Sequence, residues 1–341
     1  MKVFFRYAAV LLLFVQKANA QDLTFSQFYQ VPILRNPALA GVFDGDIRVT
    51  GIFRNQWQSI TVPYKTTALG TEVKIPFDRW NDWITIGAEF VSDEAGDIKL
   101  KRTQVLPVLN FHKSLSGNND NFLSVAFMGG PVHSQFDPTQ LTLDDQFQNG
   151  SYNPNNPSNQ VFSSTGYTYW DLSAGLSYSV AFEDETHMYV GAAVFHFNNP
   201  KTNFYENDQA TVIQRKYAVN FGLTTYTSDN NRLVAYADYF NQGGAEQFLA
   251  GLMYGTEFVK RYDDNKSINL FAGVFYRWND AIIPMIQLDW YDLSFVTSYD
   301  VNISPLYVAS NLRGGFEFSM SYRGIFNKRS YAAEKVICPS F

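Results

Sequence analysis

From Asp46 onward the apolar residues recur at every second position, in runs longer than ordinary globular strands. A period of two puts successive side chains on opposite faces of an extended strand. The clearest run, Thr168 to Ala181, sets Trp170, Leu172, Ala174, Leu176, Tyr178 and Val180 against Asp171, Ser173, Gly175, Ser177 and Ser179. Phe316, Phe318, Met320 and Tyr322 alternate in the same way with Glu317, Ser319, Ser321 and Arg323, and Ile84, Ile86, Ala88 and Phe90 with Thr85, Gly87 and Glu89. Turn signals divide the chain into fourteen runs, starting near Asp46, Thr66, Trp83, Leu100, Asn121, Thr168, His187, Lys216, Leu233, Glu246, Ser267, Ala281, Leu293 and Gly314. Most span nine to thirteen residues. Globular strands average about five or six, whereas a tilted bilayer-spanning strand needs about nine to eleven.

Alternation alone fits a soluble sandwich as well as a barrel, because each sandwich strand also has one apolar and one polar face. Run length and the even count favour an all-β, transmembrane outer-membrane β-barrel of about 14 antiparallel strands, apolar face to lipid and polar face to lumen. The odd-to-even connections Phe136–Thr165 and Asn198–Arg215 are long, and the even-to-odd connections Glu183–Thr186 and Tyr291–Asp292 are short, although Glu257–Lys266 is not. This asymmetry is expected when both termini face the periplasm. Trp83, Trp170, Tyr178, Tyr254, Tyr276 and Trp290 near strand ends are assigned to the lipid-facing parity, as an interfacial girdle.

Lys2 and Arg6 precede an apolar run, Ala8 to Val15, and the small-residue site Ala18-Asn19-Ala20. Residues 1–20 therefore read as a cleaved secretory signal peptide, the apolar run being far short of the ~20 residues of a spanning helix. No Cys follows the site, which disfavours a lipoprotein anchor. The only Cys, Cys338, excludes an intramolecular disulfide framework. The net charge is −6 with scattered basic residues, so the footprint of a nucleic-acid binder is missing. His112, His133, His187 and His196 show no metal-ligand spacing. No motif supplies a nucleophile with a base and an orienting group. No enzyme activity, cofactor or metal site is expected.

The domain plan that follows is residues 1–20 as signal peptide, 21–45 as an N-terminal lead-in or plug, 46–323 as the barrel and 324–341 as a periplasmic tail. Within the second segment, Pro37 fixes φ and pushes Asn36 out of the helical region, while Gly41 permits a turn. Asn36, Pro37 and Gly41 are candidate plug or partner contacts, a simple lead-in turn being the alternative. Arg54-Asn55-Gln56-Trp57 falls at the end of the first strand, so Arg54, Gln56 and Trp57 form either an interfacial anchor or a rim contact with a partner chain. The polar parity sends Arg48, Arg54, Glu72, Lys74, Glu89, Asp171, Asp289, Asp300, Glu317 and Arg323 toward the lumen. Both signs are present, so the charges can pair across a narrow interior. Arg313, Gly315, Phe318 and Met320 have a spacing that resembles the assembly signal of outer-membrane barrels.

The stretch Gln21-Asp22-Leu23-Thr24-Phe25-Ser26-Gln27-Phe28-Tyr29, then Pro32 and Asn36-Pro37-Ala38-Leu39-Ala40-Gly41, resembles the start of the PorP/SprF family of the type IX secretion system of Bacteroidetes. The resemblance continues through Arg54-Asn55-Gln56-Trp57, Ser298-Tyr299-Asp300-Val301-Asn302 and Gly314-Gly315-Phe316-Glu317 to Cys338-Pro339-Ser340-Phe341. Ser340 stands where members of that family often carry Arg. The resemblance implies an outer-membrane barrel that works with other type IX components to secrete or anchor large surface adhesins carrying a C-terminal targeting domain, including those used in gliding. It implies no enzyme activity and no cofactor. Fatty-acid-channel barrels also begin with an Asn-Pro-Ala hatch, so a passive porin or hydrophobic-solute channel is the alternative expectation.

Overall fold

The computed structural model describes residues 22–58, 62–77, 82–116, 121–141, 143–148, 150–153, 156, 164–182, 186–202, 211–261, 266–305 and 310–326. The expected signal peptide and nearly all of the expected tail, with Cys338, lie outside the described residues, as do 142, 149, 154–155 and 157–163 of the longest connection.

The fourteen runs are β1 (Ile47–Gln56), β2 (Tyr64–Pro76), β3 (Trp83–Ala95), β4 (Leu100–Ser114), β5 (Asn121–Gln135), β6 (Gly166–Phe182) and β7 (Thr186–Phe195), followed by β8 (Lys216–Ser228), β9 (Asn231–Gln242), β10 (Ala245–Arg261), β11 (Lys266–Arg277), β12 (Ala281–Trp290), β13 (Leu293–Asn302) and β14 (Arg313–Gly324). Each pairs with its sequence neighbours and β14 returns to β1, from Ile47 opposite Gly324 to Gln56 opposite Gly315, so the antiparallel sheet closes. Closure leaves no strand edge unpaired, which a bilayer requires. The chain is an all-β barrel, and every strand begins within two positions of the run read from sequence.

Three features differ from the sequence reading. Most strands keep to the expected lengths, but β4 and β5 reach 15 residues and β6 and β10 reach 17. Glu257–Lys266 is not a long connection: β10 continues to Arg261 across an irregularity between Glu257 and Val259. The two longest connections carry small hairpins of their own, pairing Phe147–Gln148 with Ser151–Tyr152 and Lys201–Thr202 with Thr211–Val212. The strands' common end that holds Asp46 and Gly324 is called here the terminal end, and the end with the two long connections the loop end.

Parity governs the wall. On β6, Leu176 is 48% exposed and Ser177 is 2% exposed. Trp83 breaks the assigned girdle: it is buried, stacked on His112 at 4.8 Å between ring centroids. Its strand sends Ile84 and Ile86 outward, so Trp83 shares the inward parity with Thr85 and Glu89. The lumen is also less polar than expected, since Leu249, Met253, Phe271, Phe275, Ile283 and Met285 line the inner face of β10 to β12.

Those inward apolar residues have a partner, because residues 22–45 lie inside the barrel. Asp22 sits at the loop end, and the strap passes through short turns at Phe28–Gln30, Pro32–Arg35 and Pro37–Leu39 before Asp46 N donates to Gly324 O at the terminal end (2.8 Å). Phe28 and Leu39 join the β9–β12 cluster, Ile33, Ala38 and Ala40 pack on β4, β5, β7, β8 and β9, and Phe25 and Val31 pack on β1 to β3. Parity alone makes Ser177→Arg, facing the lumen, a milder change than Leu176→Arg, facing lipid, but the packing of the strap removes that difference. The Ser177 hydroxyl donates to Ala38 O at 2.8 Å, so an arginine there meets the strap rather than water. Leu176→Arg is expected to cost about 2–4 kcal/mol at mid-strand on the lipid face, and Ser177→Arg to lower folding yield as well by displacing the strap. Refolding into lipid with equal yields for wild type and Leu176→Arg would contradict the assignment of the outer face.

Candidate functional site

The strap and its sockets concentrate the charge of the interior. At the loop end Asp22 accepts from Arg102 on β4 (3.0 Å) and lies 3.5 Å from Lys216 on β8, while its backbone N–H donates to Gln242 on β9 (2.8 Å). His196, in the connection just after β7, bridges two carboxylates, with Nδ1 2.8 Å from Asp171 and Nε2 3.5 Å from Asp22. Burial opposes its charge, but the hydrogen bonds to Asp171 and Asp22 outweigh that and raise its pKa to about 9. A histidine raised above its unfolded value of about 6.5 contributes stability that is complete below that value and is lost as pH rises through the folded pKa. The melting temperature of the barrel should therefore fall between pH 6.5 and pH 9 more steeply in wild type than in His196→Gln. Parallel profiles for the two proteins would remove His196 from the latch.

A few residues further along, the backbone N–H groups of Ser26 and Gln27 each donate to one oxygen of Glu317, both at 2.8 Å. The Ser26 hydroxyl donates to Asp300 (2.6 Å), and the Gln27 side chain bonds Ser298 and Ser319. Arg54 Nε lies 3.1 Å from Glu317, its Nη2 lies 3.6 Å from Asp300, and Nη1 donates to Thr24 O. Arg277 also reaches Asp300. The two carboxylates thus sit between two guanidinium groups and accept three bonds from the strap. A buried carboxylate is tolerable on these terms, paired and with its lone pairs used.

At mid-depth Arg35 makes a two-pronged pair with Asp238 on β9 (2.7 and 2.6 Å), and Asn220 on β8 donates to the same carboxylate (3.0 Å). Both partners are almost fully buried. The guanidinium stands 4.7 Å from the Phe28 ring centroid, and Tyr29 stacks on Tyr236 at 5.0 Å. The Asn36 side chain accepts from Ala38 N (2.9 Å) to shape the Pro37–Leu39 turn, and donates to Leu176 O (3.2 Å). Gly175 admits this contact, since a Cβ there would fall 2.0 Å from Asn36 Oδ1. Asn110 donates to both Ala38 O and Ala40 O (2.9 and 2.7 Å).

Nearer the terminal end, Gly41 adopts a φ of +85°, and a Cβ would fall 2.0 Å from Thr85 Oγ1. Its N–H donates to Glu72 (2.7 Å), which also pairs with Arg48 (2.8 Å). Phe43 is fully buried between the Arg48 guanidinium and the Lys74 ammonium, each 4.5 Å from its ring centroid, and Lys74 also donates to Phe43 O. Such cation–π contacts are strongest where water is excluded.

The candidate residues read from sequence are thereby sorted. Asn36, Pro37 and Gly41 are buried parts of the strap, and Arg54 is a strap anchor. Gln56 and Trp57 are half-buried at the loop end of β1, apart from the sockets, with Trp57 at φ 64°. Arg48 with Glu72, and Asp300 with Glu317, form two separate lumen networks, and Asp171 belongs to the Asp22 latch. Glu89 is buried near Glu72 with its Oε1 unbonded among the described residues, and Arg323 lines a cavity described below. Sequence reasoning did not single out Asp22, Arg35, Asp238, Arg277 or Lys216. Arg35 was detectable as the lone charge in the apolar stretch Val31 to Gly41, where only a buried partner makes it affordable.

The strap with its sockets leaves one cavity of about 70 Å³ in the terminal half of the lumen and others of about 10 and 20 Å³ among the described pockets. A closed fourteen-strand wall with an apolar exterior and an internal plug of its own N-terminal segment defines a plugged outer-membrane β-barrel. The family model described as the type IX secretion system membrane protein PorP/SprF matches residues 17–322, and the chain belongs to that family. No curated protein matches the chain significantly. Among solved structures it is similar to CdiB from Acinetobacter baumannii (11% identity, TM-score 0.41), over 81% of this chain and 60% of that one. It is also similar to a mutant of the TodX monoaromatic hydrocarbon channel (9%, TM-score 0.44; 87% and 94%) and to a Pseudomonas aeruginosa FadL homologue (11%, TM-score 0.43; 84% and 92%). The chain thus spans 60% of the length of CdiB and nearly all of the other two.

Proposed function

We propose that this protein is a non-enzymatic outer-membrane component of the type IX secretion system that supports secretion or cell-surface anchoring of large adhesins bearing a C-terminal targeting domain, including adhesins used in gliding. In this reading both ends of the barrel domain face the periplasm, the loop end faces outward, and an N-terminal signal peptide is cleaved on export. Family membership supplies the secretion context. The observation that carries the choice against a passive channel is the plug. Arg35–Asp238 and the Arg54, Arg277, Asp300 and Glu317 group hold it across the lumen.

The remaining cavity of about 70 Å³ supports the same choice. An apolar cavity that admits benzene measures about 150 Å³, so this cavity is too small for a hydrophobic solute of even that size without displacement of the strap. A barrel built this way serves as a rigid membrane platform rather than a conduit.

Deletion of the gene should strip a large adhesin from the cell surface while uptake of small solutes stays near normal, and the purified barrel should be mostly silent in planar bilayers. Steady large conductance from the intact protein, together with normal adhesin display in the deletion strain, would overturn the reading.

A further inference from the structure

Three guanidinium groups ring the terminal mouth of the lumen. Arg48 and Arg232 are the second residues of β1 and β9, and Arg323 is the next-to-last of β14. All three line the 70 Å³ cavity between the strap and the wall. Arg48 is engaged by Glu72. Arg232 is different: its contacts are the faces of Phe271 (4.9 Å) and Tyr226 (5.8 Å), and it has no carboxylate partner among the described residues. Two buried hydroxyls on the same cavity, Thr224 Oγ1 and Ser321 Oγ, also have no hydrogen-bond partner among the described residues, and each residue is 2% exposed. Of the acidic groups on the cavity, Asp289 accepts from Gln287 (2.9 Å) and Asp44 is exposed.

An unpaired guanidinium with two unused buried hydroxyls is a receptor for an acceptor-rich anion, since buried polar groups without partners are costly and a charge-assisted bond relieves them. The volume sets the size. It is about half of what a benzene-sized ligand needs, so a ring is excluded and a carboxylate on a short aliphatic stem fits. We propose that this vestibule binds such a carboxylate through Arg232, Thr224 and Ser321, the group arriving from the terminal end as a glutamate side chain of a polypeptide or as a free dicarboxylic acid. The site is independent of the secretion reading.

The test uses the intact folded barrel in detergent, titrated calorimetrically with glutarate and, separately, with acetyl-Gly-Glu-Gly-amide, against sodium chloride at matched ionic strength. Wild type should bind at least one probe saturably. Arg232→Gln should weaken that binding by about 10-fold or more, Arg232→Lys by less, and Thr224→Val by about 3- to 10-fold. Tighter binding of the peptide assigns the carboxylate to a polypeptide, and equal or tighter binding of glutarate assigns it to a free acid. If Arg232→Gln loses its heat-modifiable folded form, Thr224→Val and Ser321→Ala decide the matter. No saturable heat beyond that of chloride, meaning a merely hydrated vestibule, or undiminished binding in the folded variants, would overturn the proposal.

Discussion

Arg35→Ala is expected to destabilise the barrel by about 3–5 kcal/mol, the range for removing one member of a buried ion pair. The substitution leaves the Asp238 carboxylate in the middle of the lumen with only the Asn220 amide as donor among the described residues. It also removes the cation that Phe28, Tyr189 and Tyr236 surround. The readout is the temperature at which the heat-modifiable band converts to its unfolded mobility. The double variant Arg35→Met with Asp238→Leu should recover most of the loss, because an apolar pair of similar volume avoids the desolvation that the ion pair must offset. An unchanged transition for Arg35→Ala would show that the strap is not held at mid-depth.

Glu317→Ala should have an effect of similar size by a different route. It orphans the N–H groups of Ser26 and Gln27 and leaves Arg54, among the described residues, with only the more distant Asp300 as an ionic partner. The expected cost is again about 3–5 kcal/mol, and Glu317→Gln should lose less because its amide oxygen can still accept one of the two N–H bonds. Either single substitution leaves the strap fixed elsewhere, so each variant should remain largely closed in planar bilayers. Arg35→Ala combined with Glu317→Ala frees both the Glu317 and the mid-depth sockets, and sustained current should appear only there. Current in Glu317→Ala alone, equal to that of the double variant, would mean that the mid-depth pair does not hold the plug.

The wall was readable wherever one face of a strand is apolar and the other is not. Leu176 beside Ser177 and Phe318 beside Glu317 declare their sides by period two alone. On β11 the rule fails, since Phe271 and Phe275 point inward while Leu270, Ala272 and Val274 point outward. Both faces are apolar there because one meets lipid and the other meets the strap, and periodicity carries no contrast. Trp83 was misplaced for a related reason: residue type suggested an interfacial aromatic, but the phase of its own strand puts it inside, over His112.

The sockets were only half legible. Parity turned Arg54, Asp300 and Glu317 inward correctly, and the tight turn at Asn36 to Gly41 was visible in its Pro and Gly. What could not be read was the pairing itself. Arg35 and Asp238 lie 203 positions apart and Ser26 and Glu317 lie 291 apart, and only the closed barrel brings them together. The same distance explains why Arg54 could be read equally well as a rim contact.

The strap between Asp22 and Phe43 finds partners on every strand of the wall, from Arg54 on β1 and Glu72 on β2, through Val91, Asn110, Ala126, Ser177, Tyr189, Lys216, Asp238, Leu249, Arg277 and Gln287, to Asp300 and Glu317. An interior so connected cannot easily be inserted into a finished cylinder. The N-terminal segment is made and exported before any strand, whereas β14 comes last and closes on β1. Contacts of such long sequence separation form late and slowly, so the first-made residues wait for the last. The β1–β14 seam therefore completes two things at once in the finished molecule, the circumference of the barrel and the enclosure of the strap that stops its lumen.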